Sequence, residues 1–293
     1  NEGEFARRIW STDFRQVRGI QWLAPHDGGG PSLELRQWRL SNNLGANWTA
    51  SDSENGSPGM SNTQAANNAE PIITKLLHSP PLPRSDQKVN IHFEIHDESI
   101  SNVQAELYYS INEEPFISVA LTPITLSSDT QGLFQAIIPE QSNHAVVEFY
   151  IQANDSLGAV AKWPRPTLPE NEQDANAMYQ VDDRSRTLDS PEYRIIMQPS
   201  ERQRFLDVVI PRLPGQTVLN QKIFSDGRFH ATFISHFDGQ YRIRYQTEVR
   251  NRGNGSRQKN PNNFRIDFSS DDLWRQAEKL NLNAQFPWLQ TLG

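Results

Sequence analysis

The chain contains no cysteine. Disulfides, thiolate metal sites and a cysteine nucleophile are therefore excluded, although compartment is not decided by this. No run approaches the roughly 20 apolar residues needed to cross a bilayer as a helix. Positive charge is also short: 28 Lys and Arg stand against 35 Asp and Glu, for a net charge of -7. Such a chain as a whole has no electrostatic attraction for nucleic acid or anionic membranes, so no nucleic-acid partner is expected and any anion site must be local. An initiator methionine and a signal-peptide core are both missing from the start, Asn1-Glu2-Gly3-Glu4. At the other end an apolar pattern runs through Trp288 to Gly293 without a cap or polar tail. Both ends read as arbitrary, which points to a piece of a longer multidomain protein.

With 293 residues there is room for two or three domains. The 19 prolines and 16 glycines, with a mean hydropathy of -0.68, favour short strands joined by many turns over long helices. Residues 1–67 are rich in Asn, Ser and Gly, with Trp10, Trp22, Trp38 and Trp48 spaced among turns, and packing is the expected role of each indole. Ser32-Leu33-Glu34-Leu35 alternates like a strand after the flexible Asp27-Gly28-Gly29-Gly30.

From 71 to 166 the period of two is clearest. In Val89-Asn90-Ile91-His92-Phe93-Glu94-Ile95 the odd positions are apolar and the even ones polar, which places one face on a core. Further strands are expected over 103–111, 116–121, 133–138 and 146–153, with turn signals between them. That spacing predicts an immunoglobulin-like or fibronectin-like β-sandwich. His92 and His96 would lie about 13 Å apart on the polar face, too far for one metal, and read as surface residues. Asp97 and the Asn154-Asp155 turn suit either a calcium site or, more simply, turn formation. The acidic stretch 167–190 reads as a linker.

The third module opens with the strand Tyr193-Arg194-Ile195-Ile196-Met197, and Ser200 suits the cap of a short helix that includes Leu206. Asp238-Gly239 predicts a hairpin between strands 229–237 and 241–249. Strict alternation along the second strand would align Arg242, Arg244 and Arg250 on one face. The following turn, from Arg250 to Lys259, carries four basic residues and no acid. Its guanidinium groups and backbone amides suit a phosphate, while a solvated hairpin end would show the same composition. Asp271-Asp272 before Leu273-Trp274 reads as a helix start.

The run Glu248-Val249-Arg250-Asn251-Arg252-Gly253-Asn254-Gly255-Ser256-Arg257, then Asn263-Phe264-Arg265-Ile266-Asp267-Phe268, then Leu280-Asn281-Leu282-Asn283, resembles the amino-terminal part of the spore-coat CotH kinase family. The resemblance covers about residues 190–293. It implies an atypical, protein-kinase-like α+β fold and phosphate transfer from ATP, with Mg²⁺, to protein serines. The family's metal-binding aspartates lie in a carboxy-terminal half that has no counterpart here. Arg252, Ser256, Arg257 and Lys259 would then lie near the nucleotide phosphates, and no catalytic or metal-binding residue is assigned. Asn260-Pro261-Asn262-Asn263 stands where the family commonly has lysines. In the first segment, Asp27-Gly28-Gly29-Gly30-Pro31 through Leu35, with Asn47-Trp48-Thr49 and Gly56-Ser57-Pro58-Gly59, resembles the closing strands of bacterial lamin-tail domains, which are immunoglobulin-like binding modules.

The expected architecture is mainly β. It comprises a partial lamin-tail-like β domain over 1–67, a sandwich over 71–166, a linker over 167–190 and an incomplete kinase-like lobe over 191–293. The resemblances imply an exported or surface-displayed bacterial protein that engages a protein or cell-surface partner through its β modules. A non-catalytic adhesion or scaffolding protein is the alternative.

Overall fold

The computed structural model describes residues 29–121, 123–166, 173–185, 191–207, 228–253, 263–269 and 272–283. Among them are sixteen strands and one α-helix, the strand pairs along the path of each sheet being antiparallel, so the protein is mainly β. No helix among the described residues is long and apolar enough to cross a membrane. The chain forms two compact units, one comprising residues 15–166 with 180–184 and the other residues 1–14, 167–179 and 185–293.

In the first of these units, β1 (Leu33–Leu35) pairs with β2 (Trp48–Ala50) in a small ribbon. Glu34, almost fully buried, fixes the loop that follows by accepting bonds from Ser57 Oγ (2.5 Å), Thr63 Oγ1 (2.8 Å) and the Gln64 amide (3.2 Å). These donors, Ser57 first, hold its carboxyl below the usual carboxylate range. Trp48 is half-buried and its Nε1 donates to the Asn42 carbonyl, as an indole in a packing role requires. Trp38 departs from that expectation, being 79% exposed. Trp10 and Trp22 lie outside the described residues.

The sandwich is built from four hairpins. One sheet has the order β3 (Ile72–Ser79), β4 (Val89–His96), β8 (Gln131–Ile138), β7 (Pro123–Ser128). The other has β10 (Val160–Trp163), β9 (Val146–Asn154), β5 (Gln104–Ile111), β6 (Ile117–Leu121) along its path. The alternation in β4 works as the sequence predicts: Val89, Ile91, Phe93 and Ile95 are buried. Leu107, Phe149 and Ile151 are buried in the same way on the second sheet, and removing such side chains from water is the main stabilising term. β7 was not expected. Its six residues are all exposed, so its sequence carries no two-sided burial pattern. Leu40, Ala46 and Ile72 share a small cluster, and Glu98 accepts from the Ala69 amide, so residues 40–70 are packed onto the sandwich.

A register shift interrupts the β3–β4 ladder. Thr74 pairs with Glu94, but the next pair is Leu77 with His92, so β3 carries one extra residue. Lys75, at φ 53, absorbs the irregularity. Beyond the bulge Leu76 and His78 point into the core, while Leu77 is half exposed.

In the other unit, the sheet is a simple meander: β12 (Glu192–Ile196), β13 (Phe229–Phe237), β14 (Gln240–Asn251), β15 (Phe264–Asp267) and β16 (Lys279–Leu282). β11 (Ala177–Gln180), within the stretch expected to be a linker, lies where the chain passes between the units. The Asp238-Gly239 hairpin forms as predicted, with φ of 51 and 74, the left-handed pair that a two-residue turn of matching twist requires. One face of the sheet carries Phe229, Phe233, Val249, Ile266 and Phe268. Helix α1 (Pro199–Asp207) sets Phe205 against Phe229 and Phe264, with ring centroids 5.5 and 5.3 Å apart. The helix begins at Pro199, which suits a first helical position, and the Arg202 amide bonds the Gln198 carbonyl; Ser200 is therefore inside the helix and does not cap it.

The three arginines of β14 do not align as strict alternation implied. Thr247 pairs with Ala231, but Arg244 pairs with Phe233, so β14 carries one extra residue there. Directly paired residues share a face. Arg242 and Arg244 therefore lie on the face of Phe233 and Val249, whereas Arg250, paired with Arg265, lies on the other.

The helix expected at Leu273-Trp274 is also absent. Trp274 and Ala277 bond reciprocally, at 3.1 and 2.8 Å, around a tight turn. Arg275 and Gln276 both have positive φ there (48 and 68), which a right-handed helix does not allow.

Candidate functional site

Of the four residues assigned to phosphate, Ser256, Arg257 and Lys259 lie outside the described residues. Arg252 is placed one residue beyond β14. Its amide bonds the Asn263 carbonyl at 3.0 Å, which carries the β14–β15 ladder one step further. Gly253 follows at φ +94, a conformation that favours glycine and turns the chain out of the sheet. The Arg252 guanidinium donates from Nη1 to Asn283 Oδ1 at 2.6 Å. Arg252, at the start of the glycine-containing run, and Asn283, at the end of the Leu280-Asn281-Leu282-Asn283 run, 31 residues apart in sequence, thus meet at one end of the sheet through β15 and β16. Asn251, nearly fully buried, donates to the Phe205 carbonyl and ties α1 to the same end.

The opposite face of this sheet carries internally compensated charge. Arg265 donates to Asp267 Oδ1 (2.8 and 2.6 Å), Arg228 to Glu248 (2.5 Å) and Arg194 to Glu192 (2.7 Å). Pairs of this kind leave little net field for a ligand.

At the hairpin-turn end, a cavity of about 460 Å³ opens between the β13–β14 turn and the Trp274–Ala277 turn. It is lined by Arg242, Arg244 and Arg275 together with Trp274 and Gln276. Arg242 and Arg244 stand on one strand in the sequence, but nothing local in it brings the Trp274 turn and Arg275 to them.

The sandwich carries two buried ionisable groups. His78 is fully buried, donates from Nε2 to the Pro81 carbonyl at 3.0 Å, and meets the Phe149 ring edge-on at 6.4 Å. Burial pushes its pKa down to about 4, against the smaller opposing effect of the Pro81 bond. Asp97, also buried, accepts from the Ser99 amide at 2.8 Å. Burial raises its pKa to about 6; the Ser99 bond opposes this, while Glu98 and Asp155 add to it. Asp155 itself serves a turn, accepting from the Leu157 and Ala159 amides and from Asn68 Nδ2. Asp97 and Asp155 thus both bond turn amides, the simpler of the two expected roles, and among the described residues no group of three His, Asp or Glu is placed to hold a metal. His96 is not the free surface residue expected: it lies 3.1 Å from Thr74 Oγ1, and burial lowers its pKa.

No family model matches the chain, and no curated protein matches it. Solved structures align over parts of it, among them the following three. A cycloalternan-forming enzyme from Listeria monocytogenes aligns at 7% identity and TM-score 0.30 over 66% of this chain, which spans 14% of that enzyme. An uncharacterized L. monocytogenes protein in complex with glucose, magnesium and calcium aligns at 6% and 0.29 over 69% of this chain and 14% of its own. A Pseudomonas fluorescens alkylpurine DNA glycosylase, bound to DNA with an abasic-site analogue, aligns at 13% and 0.23 over 39% and 31%. TM-scores at this level establish no shared fold.

Proposed function

We propose that the Arg252 end of the meander sheet holds the phosphates of ATP, and that the unit is the amino-terminal part of a CotH-like protein kinase. On this reading the sandwich and the β1–β2 ribbon are binding modules for a protein or cell-surface partner, on an exported or surface-displayed bacterial protein. The observation that supports it best is the Arg252–Asn283 bond, which joins two of the three stretches that carry the family resemblance. The donors at this end suit phosphate: a guanidinium beside a glycine turn, with Ser256, Arg257 and Lys259 in the same loop by sequence. ATP when bound would supply the transferable phosphoryl group, with Mg²⁺ neutralising charge between its phosphates. The residues named here would bind and orient the nucleotide, and none is assigned to catalysis.

Non-catalytic adhesion or scaffolding is a second reading. It is favoured by the sandwich's edge strands, where Ile117 on β6 and Ile124 and Leu126 on β7 are about half exposed. Calorimetric titration of ATP with Mg²⁺, on this chain and on the full-length gene product, separates the two. The kinase reading expects saturable binding by the full-length protein, weakened roughly tenfold or more by Arg252→Ala and by Arg257→Ala with Lys259→Ala. Absence of binding by the full-length protein would leave the scaffold reading in its place.

A further inference from the structure

We propose that the cavity at the hairpin-turn end of the meander sheet is a second site, one that binds a small organic oxyanion through Arg242 and Arg275. The site is assembled in steps. The bulge in β14 turns Arg244 onto the core face, where it is 5% exposed. There its Nε donates to the Asp272 carbonyl at 3.0 Å and its Nη2 to the Leu273 carbonyl at 2.9 Å, with Asp272 Oδ1 3.3 Å from Nε. These bonds fasten the 272–277 turn over the sheet. Within that turn the positive φ of Arg275 directs its guanidinium over the Phe237 ring, 4.3 Å from the centroid. Arg242, two residues from Arg244 on the same face, completes the lining and is exposed.

Three guanidinium groups thus line one cavity. Its one lining carboxylate is Asp238, and Asp272 is engaged with Arg244. Neither Arg242 nor Arg275 forms an ion pair with any described carboxylate, so an entering anion would face two uncompensated guanidinium groups, of which Arg275 is already held over the Phe237 ring. At about 460 Å³ the cavity falls in the range of small-molecule sites and has more room than a bare phosphate needs. Trp274, with Gln276 beside it, offers a ring and an amide to the rest of such a ligand. The site is independent of the nucleotide reading: Arg242 and Arg252 are ten residues apart on an extended strand, roughly 33 Å.

The test is calorimetric titration of the chain with glucose 6-phosphate and with glucuronate, using glucose as the neutral control. Saturable binding of at least one anion is expected, weakening with added salt, and none of glucose. Preference for the first anion identifies a phosphate ligand and for the second a carboxylate. Arg242→Ala and Arg275→Ala should each weaken binding about tenfold or more with no fall in the thermal transition. If Arg275→Ala disturbs the turn and lowers that transition, the exposed Arg242 decides alone. The proposal is overturned if neither anion saturates, if binding survives both substitutions, or if Arg252→Ala abolishes it, which would move the site to the other end of the sheet.

Discussion

Replacing His78 by leucine is expected to uncover a pH dependence that the intact sandwich largely conceals. His78 titrates near 4 in the folded chain and near 6.5 when unfolded. Between those values the unfolded state holds one more proton, so stability rises with pH and is lost as pH falls toward 4. Asp97 works in the opposite sense. Its pKa is about 6 folded and 3.8 unfolded, so the folded state holds the extra proton and stability falls as pH rises from about 4 to 6. Each shift corresponds to a contribution on the order of 3 kcal/mol, acting over nearly the same window with opposite sign. Urea unfolding at pH 4, 5, 6 and 7 should therefore give a flatter profile for the intact chain than for either variant. His78→Leu should be most stable near pH 4 and weaken toward pH 6, whereas Asp97→Asn should weaken toward pH 4, helped by His96. The lost Pro81 bond in His78→Leu adds a cost of about 1 kcal/mol that is independent of pH, so the slope is the quantity to read. Parallel profiles in all three proteins would show that burial does not govern these groups.

Phe134→Ala is expected to lower the stability of the sandwich by about 3–5 kcal/mol, a large part of what a domain of this size possesses. The side chain is fully buried at the centre of β8, stacked on Phe93 with centroids 5.6 Å apart. Strands on both sides of it would border the cavity, which limits collapse. Gly132 gives the substitution an internal control. A Cβ there would lie 3.1 Å from the Phe134 ring and 3.2 Å from Ile100 and Leu126, so Gly132→Ala alone should cost about 1–3 kcal/mol through overpacking. In the double variant the added methyl enters space that the ring has vacated. The two losses should then sum to less than their separate values, and strict additivity in urea unfolding would show that the ring and Gly132 are not in effective contact.

Where one side chain type follows another at a fixed period, the sequence was readable. β4 alternates without interruption and is buried as its odd positions predict, and Asp238-Gly239 specifies a turn by local φ alone. β7 was illegible because none of its residues is buried, and the Trp274 turn because carboxylates before an apolar pair imitate a helix start. The candidate site was half legible. Its residue types stand in the sequence from Arg250 to Lys259, but that Arg252 meets Asn283 depends on the pairing of β14, β15 and β16.

By itself, then, the sequence determined a mainly β chain, the main strands of the sandwich and one hairpin. Those features follow from local propensity and from a period of two, both carried by near neighbours. Only the tertiary structure decided which face His78 and Arg244 occupy. In each strand one extra residue, near Lys75 in β3 and Gln246 in β14, reverses the inward and outward sense of everything beyond it. A bulge of this kind satisfies the pairing and packing of a whole sheet, and no short window of sequence records that requirement.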